Sequence, residues 1–440
     1  MERLTIAKFL FTIIIFVCWS TLSIANVDHF AIENYVNKSL QLLCNDDISL
    51  NFSNAVISEI KRNFISSSVI TCLNLTSNSI EKIGRGAFDR LPNLTQLFLS
   101  NNKWSSLHEL LDFGGHSKLQ VLIMNDAKSC NIDSYRRSSV QIIGEYPNLE
   151  ILSLSGNCIK DFALDYHIIG THFHMTMSSI DSWMPFPKLK ILDLSRNRIM
   201  RQDFVQLVSN NLYFLDLHDN LLDRLHLNEK GSKLFALNLD RNNFDIINSR
   251  HEFQWTLSMA GLKNLHYLSV SKNKINNIDS DAFKDNNKLL FLNLSSNYIH
   301  ELHPKTFAYL QNLKTLDLSG NLLKDVPQIS NETEISILYI SNNYIYKILS
   351  HTFTHMPKLI KLLMGENRIN EIDVNAFAPL TVLEELDLSR NMLSFLPKKL
   401  AETLVSLKYL DLSENKFTSL ESLSLTNTWP SIKKIDESYK

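Results

Sequence analysis

Glycine is scarce in this chain, with 11 residues in 440. A phosphate-cradling loop of the Walker type and the G-x-S-x-G nucleophile elbow both depend on it, and neither pattern occurs. Long basic runs are also missing. Lysine and arginine cluster no further than pairs such as Arg136 with Arg137 and Lys433 with Lys434, and the formal net charge is -2. That balance argues against a surface for nucleic acid or an anionic membrane. Beyond residue 25 no apolar stretch approaches the ~20 residues that a helix needs to cross a bilayer. Cysteine is limited to five positions.

The first 25 residues are read as a signal peptide rather than as fold. Arg3 and Lys8 supply a positive start, Phe9 to Trp19 is almost wholly apolar, and Ser23-Ile24-Ala25 offers a small-residue cleavage site. The expected product is secreted and extracellular. Cys18 leaves with the leader, so Cys44, Cys72, Cys130 and Cys158 remain, an even number that favours disulfides in an oxidising compartment. N-x-S/T sequons at Asn37, Asn51, Asn74, Asn93, Asn293 and Asn331 agree with that route.

What the chain has in abundance is one repeated unit. LKILDLSRNRI, Leu189 to Ile199, reads as L-x-x-L-x-L-x-x-N-x-I, and the same pattern recurs at Leu313–Leu323, Leu383–Leu393 and Leu407–Phe417. Aligned on the second leucine, the copies centre on Leu50, Leu73, Leu97, Leu122, Leu152, Leu192, Leu215, Leu237, Leu268, Leu292, Leu316, Leu338, Leu362, Leu386 and Leu410, with Ile435 opening a fragment. Most spacings are 22 to 25 residues, which fits one strand and one return segment per turn. One such unit cannot bury its own apolar side, so the copies must stack into a continuous core. The ninth-position asparagines, Asn78, Asn102, Asn157, Asn197 and onward to Asn415, are expected to satisfy backbone groups where the chain leaves the strand. Ala127 breaks that rule. Phenylalanines fifteen residues after the second leucine, Phe88, Phe283, Phe307, Phe353 and Phe377, should form a spine through the return segments.

This pattern resembles the leucine-rich repeat family, and its ~24-residue unit with a phenylalanine spine is similar to Toll-like receptor ectodomains and secreted insect immune proteins of that family. The resemblance implies an α/β solenoid: a curved horseshoe with a concave parallel sheet, an irregular or short-helical convex side, and binding rather than catalysis. The expected organisation is a leader at 1–25, an N-terminal cap at 26–49, a solenoid of about 15 repeats at 50–431 and an incomplete terminal repeat at 432–440. Cys44 can bond Cys72, while Cys130 and Cys158, just past the strands of neighbouring repeats, are the firmer pair; other pairings stay open.

Three spacings exceed the period, at 30 residues between Leu122 and Leu152, 40 between Leu152 and Leu192, and 31 between Leu237 and Leu268. The extra residues are expected to loop out of the return side, the longest loop running from Lys160 to Lys188. His167, His172 and His174 with Asp165 could reach one metal ion, but an exposed histidine-rich loop without a fixed ligand is the better reading. HELLD at His108–Asp112 and HEFQW at His251–Trp255 lack the second histidine of a zinc protease. No catalytic residue, metal or cofactor is expected.

The recognition surface is sought instead on the concave face, since residues flanking the second leucine point away from the core. One row reads Val121, Ile151, Ile191, Phe214, Ala236, Tyr267, Phe291, Thr315 and Ile337, expected as an exposed apolar stripe; the next contains Asp193 and Asp216. Sequons Asn51, Asn74 and Asn293 fall in that second row, so glycans there would leave Ile151 to Tyr267 clear. Ile151, Ile191, Asp193, Phe214, Asp216 and Tyr267 are therefore the candidate ligand-binding residues, for a protein or a microbial or extracellular ligand, with innate immunity implied by resemblance alone. A matrix or adhesion scaffold and the truncated ectodomain of a membrane receptor are the competing readings. The charged strand edge near Lys433 and Glu437 could also be covered by a second copy of the chain.

Overall fold

The computed structural model describes residues 48–107, 110–127, 139–164, 184–249, 256–398, 400–419, 422 and 434–436. The leader, nearly all of the cap with Asn37 and Cys44, Cys130, the motif residues His108 and His251, and residues 165–183 of the long insert lie outside them.

Among the described residues, sixteen three-residue strands, from Ser49–Asn51 to Lys434–Asp436, form one parallel sheet whose spatial order is their order along the chain. Register does not slip: Leu50 pairs with Leu73, Leu192 with Leu215, Leu386 with Leu410, and Leu410 with Ile435. Each strand is thus centred on the residue that the repeat alignment marks. The centres from Leu73 to Leu410 are at most 3 % exposed and belong to one core running the length of the solenoid. The cause is simple: a lone turn has no second layer, so its leucines are dry only between the leucines of two neighbours.

The asparagine ladder closes each turn. Asn197 Nδ2 donates to the carbonyls of Leu154 (2.9 Å), Leu194 (3.0 Å) and Ser195 (3.1 Å), while its Oδ1 accepts from the amides of Asn157 and Ile159 (both 3.0 Å). Asn220, Asn242, Asn297, Asn343, Asn367 and Asn391 repeat the geometry. At the exception, the Ala127 amide still donates to Asn157 Oδ1 (2.7 Å), and Asn125 takes up bonds from Ser153 Oγ (2.8 Å) and the Ser155 amide (2.9 Å). Immediately before the ladder position the backbone turns left-handed, with φ +57° at Ser77, +54° at Arg196, +53° at Lys272 and +51° at Arg390. Side chains other than glycine pay for that conformation, and the ladder bonds on either side hold it.

The return side is less regular, with 3-10 turns at Gln202–Leu207 and Asn228–Gly231 and one helical turn at Leu400–Thr403. The expected spine is present where Phe283 stacks on Phe307 (6.4 Å) and Phe353 on Phe377 (5.7 Å). In the N-terminal half it continues through residues that the fifteen-residue rule does not mark. Phe88 meets Phe113 (5.4 Å), Phe113 meets Tyr146 (5.9 Å) and Tyr146 meets Phe186 (5.6 Å); Phe113 stands one residue past the rule in an ordinary repeat, and the long repeats displace Tyr146 and Phe186 further.

The extra residues are not simply looped out. Leu111–Gly115, Ser139–Glu145 and Asp161–Leu164 form a second, three-stranded parallel sheet, with Val140, Ile142 and Phe113 buried. The two lengthened turns pair with each other and with the ordinary turn before them, which satisfies backbone groups that a loop would leave to water. Gly114 pairs with Gly144, both at positive φ, and a Cβ on Gly144 would lie 2.4 Å from the Gly114 carbonyl carbon. Only glycine fits there. The expected Lys160–Lys188 loop is corrected at both ends: Asp161–Leu164 is strand, and Phe186 is buried and bridges to Val208.

Candidate functional site on the concave face

Every candidate residue falls on the main sheet, but the face is not one exposed stripe. Near the N-terminal end Cys72, Phe98, Val121, Ile123 and Ile151 pack into an apolar cluster of their own, separate from the core, with Ile191 against it. Val121 and Ile151 are 6 % and 5 % exposed, and Phe214 is 9 % exposed. These three are corrected from exposed to buried: strands in exact register set neighbouring side chains in close rows, and a run of bulky ones shields itself. Ile191, Ala236, Tyr267, Phe291, Thr315 and Ile337 are half-buried.

The acidic row is corrected as well, because its carboxylates are already engaged. Asp193 accepts from Ser153 Oγ (2.7 Å), Ser195 Oγ (2.6 Å) and the Ser195 amide (3.0 Å). Burial raises its pKa, the Asp216 charge raises it further, and the serine bonds act the other way. Asp216 Oδ1 accepts from His218 Nδ1 (2.7 Å) and from the His218 amide (3.0 Å), and Asn238 Nδ2 reaches its other oxygen (3.4 Å). One turn on, Asp240 accepts from Ser269 Oγ and the Ser271 amide, both at 2.6 Å. The middle of the face is therefore a self-satisfied network, not a set of waiting anions.

His218 was not singled out from the sequence, although it stands where the template usually has serine. Burial lowers its pKa, but the bond to Asp216 and the charges of Asp216, Asp193 and Asp219 outweigh that and push it up to about 9. Because this lies above the ordinary 6.5, the pair stabilises the fold fully below about pH 6.5 and stops doing so as pH climbs through about 9. Between about pH 6 and about pH 9.5 the native chain should lose on the order of 3 kcal/mol of unfolding free energy that a His218→Asn variant does not lose. Urea titrations of both proteins at the two pH values check this.

Aromatic residues form a second feature that the rows did not reveal. Tyr213 stacks on Phe235 (4.9 Å), Phe235 on His266 (4.4 Å), Phe235 lies 5.4 Å from Tyr267, and Tyr267 stacks on Phe291 (6.3 Å). Tyr213, Phe235 and His266 sit one residue before their strands, so the group wraps from the concave face onto its edge. An aromatic in that column of the aligned repeats was the available signal.

Of the sequon residues, Asn51 and Asn331 are exposed, whereas Asn74, Asn93 and Asn293 are half-buried. Cys72 and Cys158 are disulfide-bonded. Among the described residues no cluster of histidine, cysteine, aspartate or glutamate is arranged to hold a metal ion. No described helix is long and apolar enough to cross a membrane.

The leucine rich repeat family model matches residues 68–126, 261–324, 333–393 and 381–427, and a second leucine rich repeat model matches 147–161. The chain belongs to the leucine-rich repeat family. Mouse podocan is 26 % identical over 82 % of this chain and 62 % of its own length. The transforming growth factor beta activator LRRC33 of Danio rerio is 25 % identical over 80 % of the chain and 56 % of its own. Human Toll-like receptor 3 is 27 % identical over 63 % and 32 %. The chain thus spans less than two thirds of each of these relatives. A leucine-rich repeat protein of Leptospira interrogans has the same fold, with a TM-score of 0.57 at 21 % identity, covering 91 % of this chain and 98 % of the other. All of these are leucine-rich repeat proteins, and the match to a catalytic family is nowhere among them.

Proposed function

We propose that this leucine-rich repeat chain is a secreted recognition protein that binds a protein or microbial ligand across the middle of its concave face, from Ile191 to Phe291. The observation that carries the reading is the half-buried aromatic group of Tyr267 and Phe291 with Tyr213 and Phe235, set on a rigid sheet whose neighbouring polar groups are internally bonded. Rigid aromatics lose little entropy on binding and dominate interface energies. Asp193 and Asp216 position this face through their network, and Ile151 and Phe214 pack beside it in the same row. Residues 165–183 of the long insert lie beside it in sequence and are proposed to contribute. A role in innate immunity belongs to the same proposal, supported by the similarity to human Toll-like receptor 3.

Secretion is supported by the leader pattern at 1–25 and by the two bonded cysteines. Cys44 is proposed as the partner of Cys72, and Cys130 as that of Cys158. Because Phe214 is packed, the test of the face uses Tyr267→Ala with Phe291→Ala. Crosslinking capture from the extracellular fluid of the secreting tissue identifies the ligand, and the folded double variant should bind it at least about tenfold more weakly. Unchanged affinity would remove the concave face from consideration.

A further inference from the structure

Four residues before each strand centre, asparagine and lysine alternate over nine consecutive turns: Asn93, Lys118, Asn148, Lys188, Asn211, Lys233, Asn264, Lys288 and Asn312. The alternation is a built device. Lys118 Nζ donates to Asn93 Oδ1 (3.3 Å), Lys188 to Asn148 (2.5 Å), Lys233 to Asn211 (2.7 Å) and Lys288 to Asn264 (2.6 Å). Each of those asparagines in turn donates Nδ2 to a carbonyl of the preceding turn: Ser68 (2.7 Å), Ser117 (2.6 Å), Pro187 (3.3 Å) and Ser232 (2.6 Å). The backbone thus orients the amide, and the amide orients the ammonium.

The anchoring partner is neutral at every rung, so it holds the lysine without cancelling its charge, and all four lysines are exposed. An ammonium has three donors, and one is used. Acidic side chains along this edge are matched elsewhere: Glu150 pairs with Lys190 (2.9 Å), and Asp285 accepts from the Gly261 amide (3.0 Å). Past Asn312 the pattern ends at Glu334, which bridges Lys314 and Lys358. Sequon Asn93 marks the other end. His266 borders the row; burial lowers its pKa, its bond to the Asn264 carbonyl acts the other way, and the Lys288 charge lowers it again.

Lysines two turns apart are separated by about 10 Å of sheet, and the tract from Lys118 to Lys288 extends about 30 Å. We infer that this edge binds an extended anionic polysaccharide, with one sulfate or carboxylate of each successive disaccharide on each lysine. Two turns match the length of a disaccharide in an extended chain. The shoulder two residues along, Lys190, Tyr213, Phe235, His266 and Leu290, leads from these turns into the strands, and Phe235 and His266 stack there at 4.4 Å. Its ring edges and apolar surface would meet the sugar backbone between charges. Preordered ammonium groups reduce the ordering cost that a flexible lysine pays on binding.

The probe is a heparin octasaccharide, titrated into the full secreted chain by calorimetry at several salt concentrations. Lys118→Gln, Lys188→Gln, Lys233→Gln and Lys288→Gln combined should weaken binding at least about tenfold and flatten the salt dependence. A charge-matched control, with Lys103, Lys272, Lys274 and Lys284 changed to glutamine, should stay within about twofold of the native chain. Circular dichroism establishes that both variants are folded. Equal weakening in both variants, or none in the first, would overturn the assignment. So would undiminished binding of desulfated heparin, or tighter binding of a single-stranded polynucleotide to the same lysines.

Discussion

Replacing Asn197 by alanine should lower the unfolding free energy by about 3–5 kcal/mol, from the loss of bonds to buried polar groups at roughly 1–3 kcal/mol each. The amides of Asn157 and Ile159 both donate to its Oδ1, and the Leu154 carbonyl accepts from its Nδ2. The Leu194 carbonyl suffers less, since Asn220 Nδ2 also donates to it at 2.9 Å. Water cannot substitute readily, because Asn157 and Ile159 are fully buried and Asn197 is 7 % exposed. The damage should begin locally, as turns of a solenoid contact only their neighbours. Hydrogen exchange at Asn157 and Ile159 is therefore the sharpest measurement, alongside the urea midpoint. Native protection at both amides would show that the ladder is dispensable.

Phe113→Ala should cost about 3–5 kcal/mol, the range for deleting a buried aromatic side chain and leaving a cavity. Phe113 is 2 % exposed and meets Phe88 and Tyr146 edge-on, so two aromatic pairs vanish together. It also lies next to the close approach of Gly114 and Gly144, where the second sheet has no slack to refill the space. Phe113→Leu keeps most of the volume and should cost clearly less. Thermal midpoints of the two variants provide the comparison, and equal midpoints would mean that this aromatic ladder only fills space.

How much of this was readable depends on how repetitive the cause is. Strand centres from Leu50 to Leu410 stand out because the same burial is demanded at every turn, and Asn197 and its equivalents stand out because each turn leaves the same backbone groups open. Gly156 and Gly320 mark the left-handed position before the ladder asparagine, while Arg196, Lys272 and Arg390 occupy it with ordinary side chains because the ladder beside them supplies the constraint. Tyr146 and Phe186 were hidden by the long repeats, which shift the spine away from its usual spacing, and Phe113 stands one residue off that spacing. On the candidate site, Tyr267 and Phe291 were legible as a row, whereas their contacts with Phe235 and Tyr213 come from a different column of the repeat.

The sequence by itself determined the period, the core leucines, the asparagine ladder and the parallel stacking, because these are local demands repeated until no other arrangement satisfies them. Tertiary structure alone decided which sheet-face residues stay accessible: Val121 and Ile151 close over each other, while Ile191 and Tyr267 remain half-open. It also decided that Asp193 and Asp216 serve an internal network and that four distant lysines share one edge. Those outcomes depend on what neighbouring turns happen to place alongside, which no single repeat encodes.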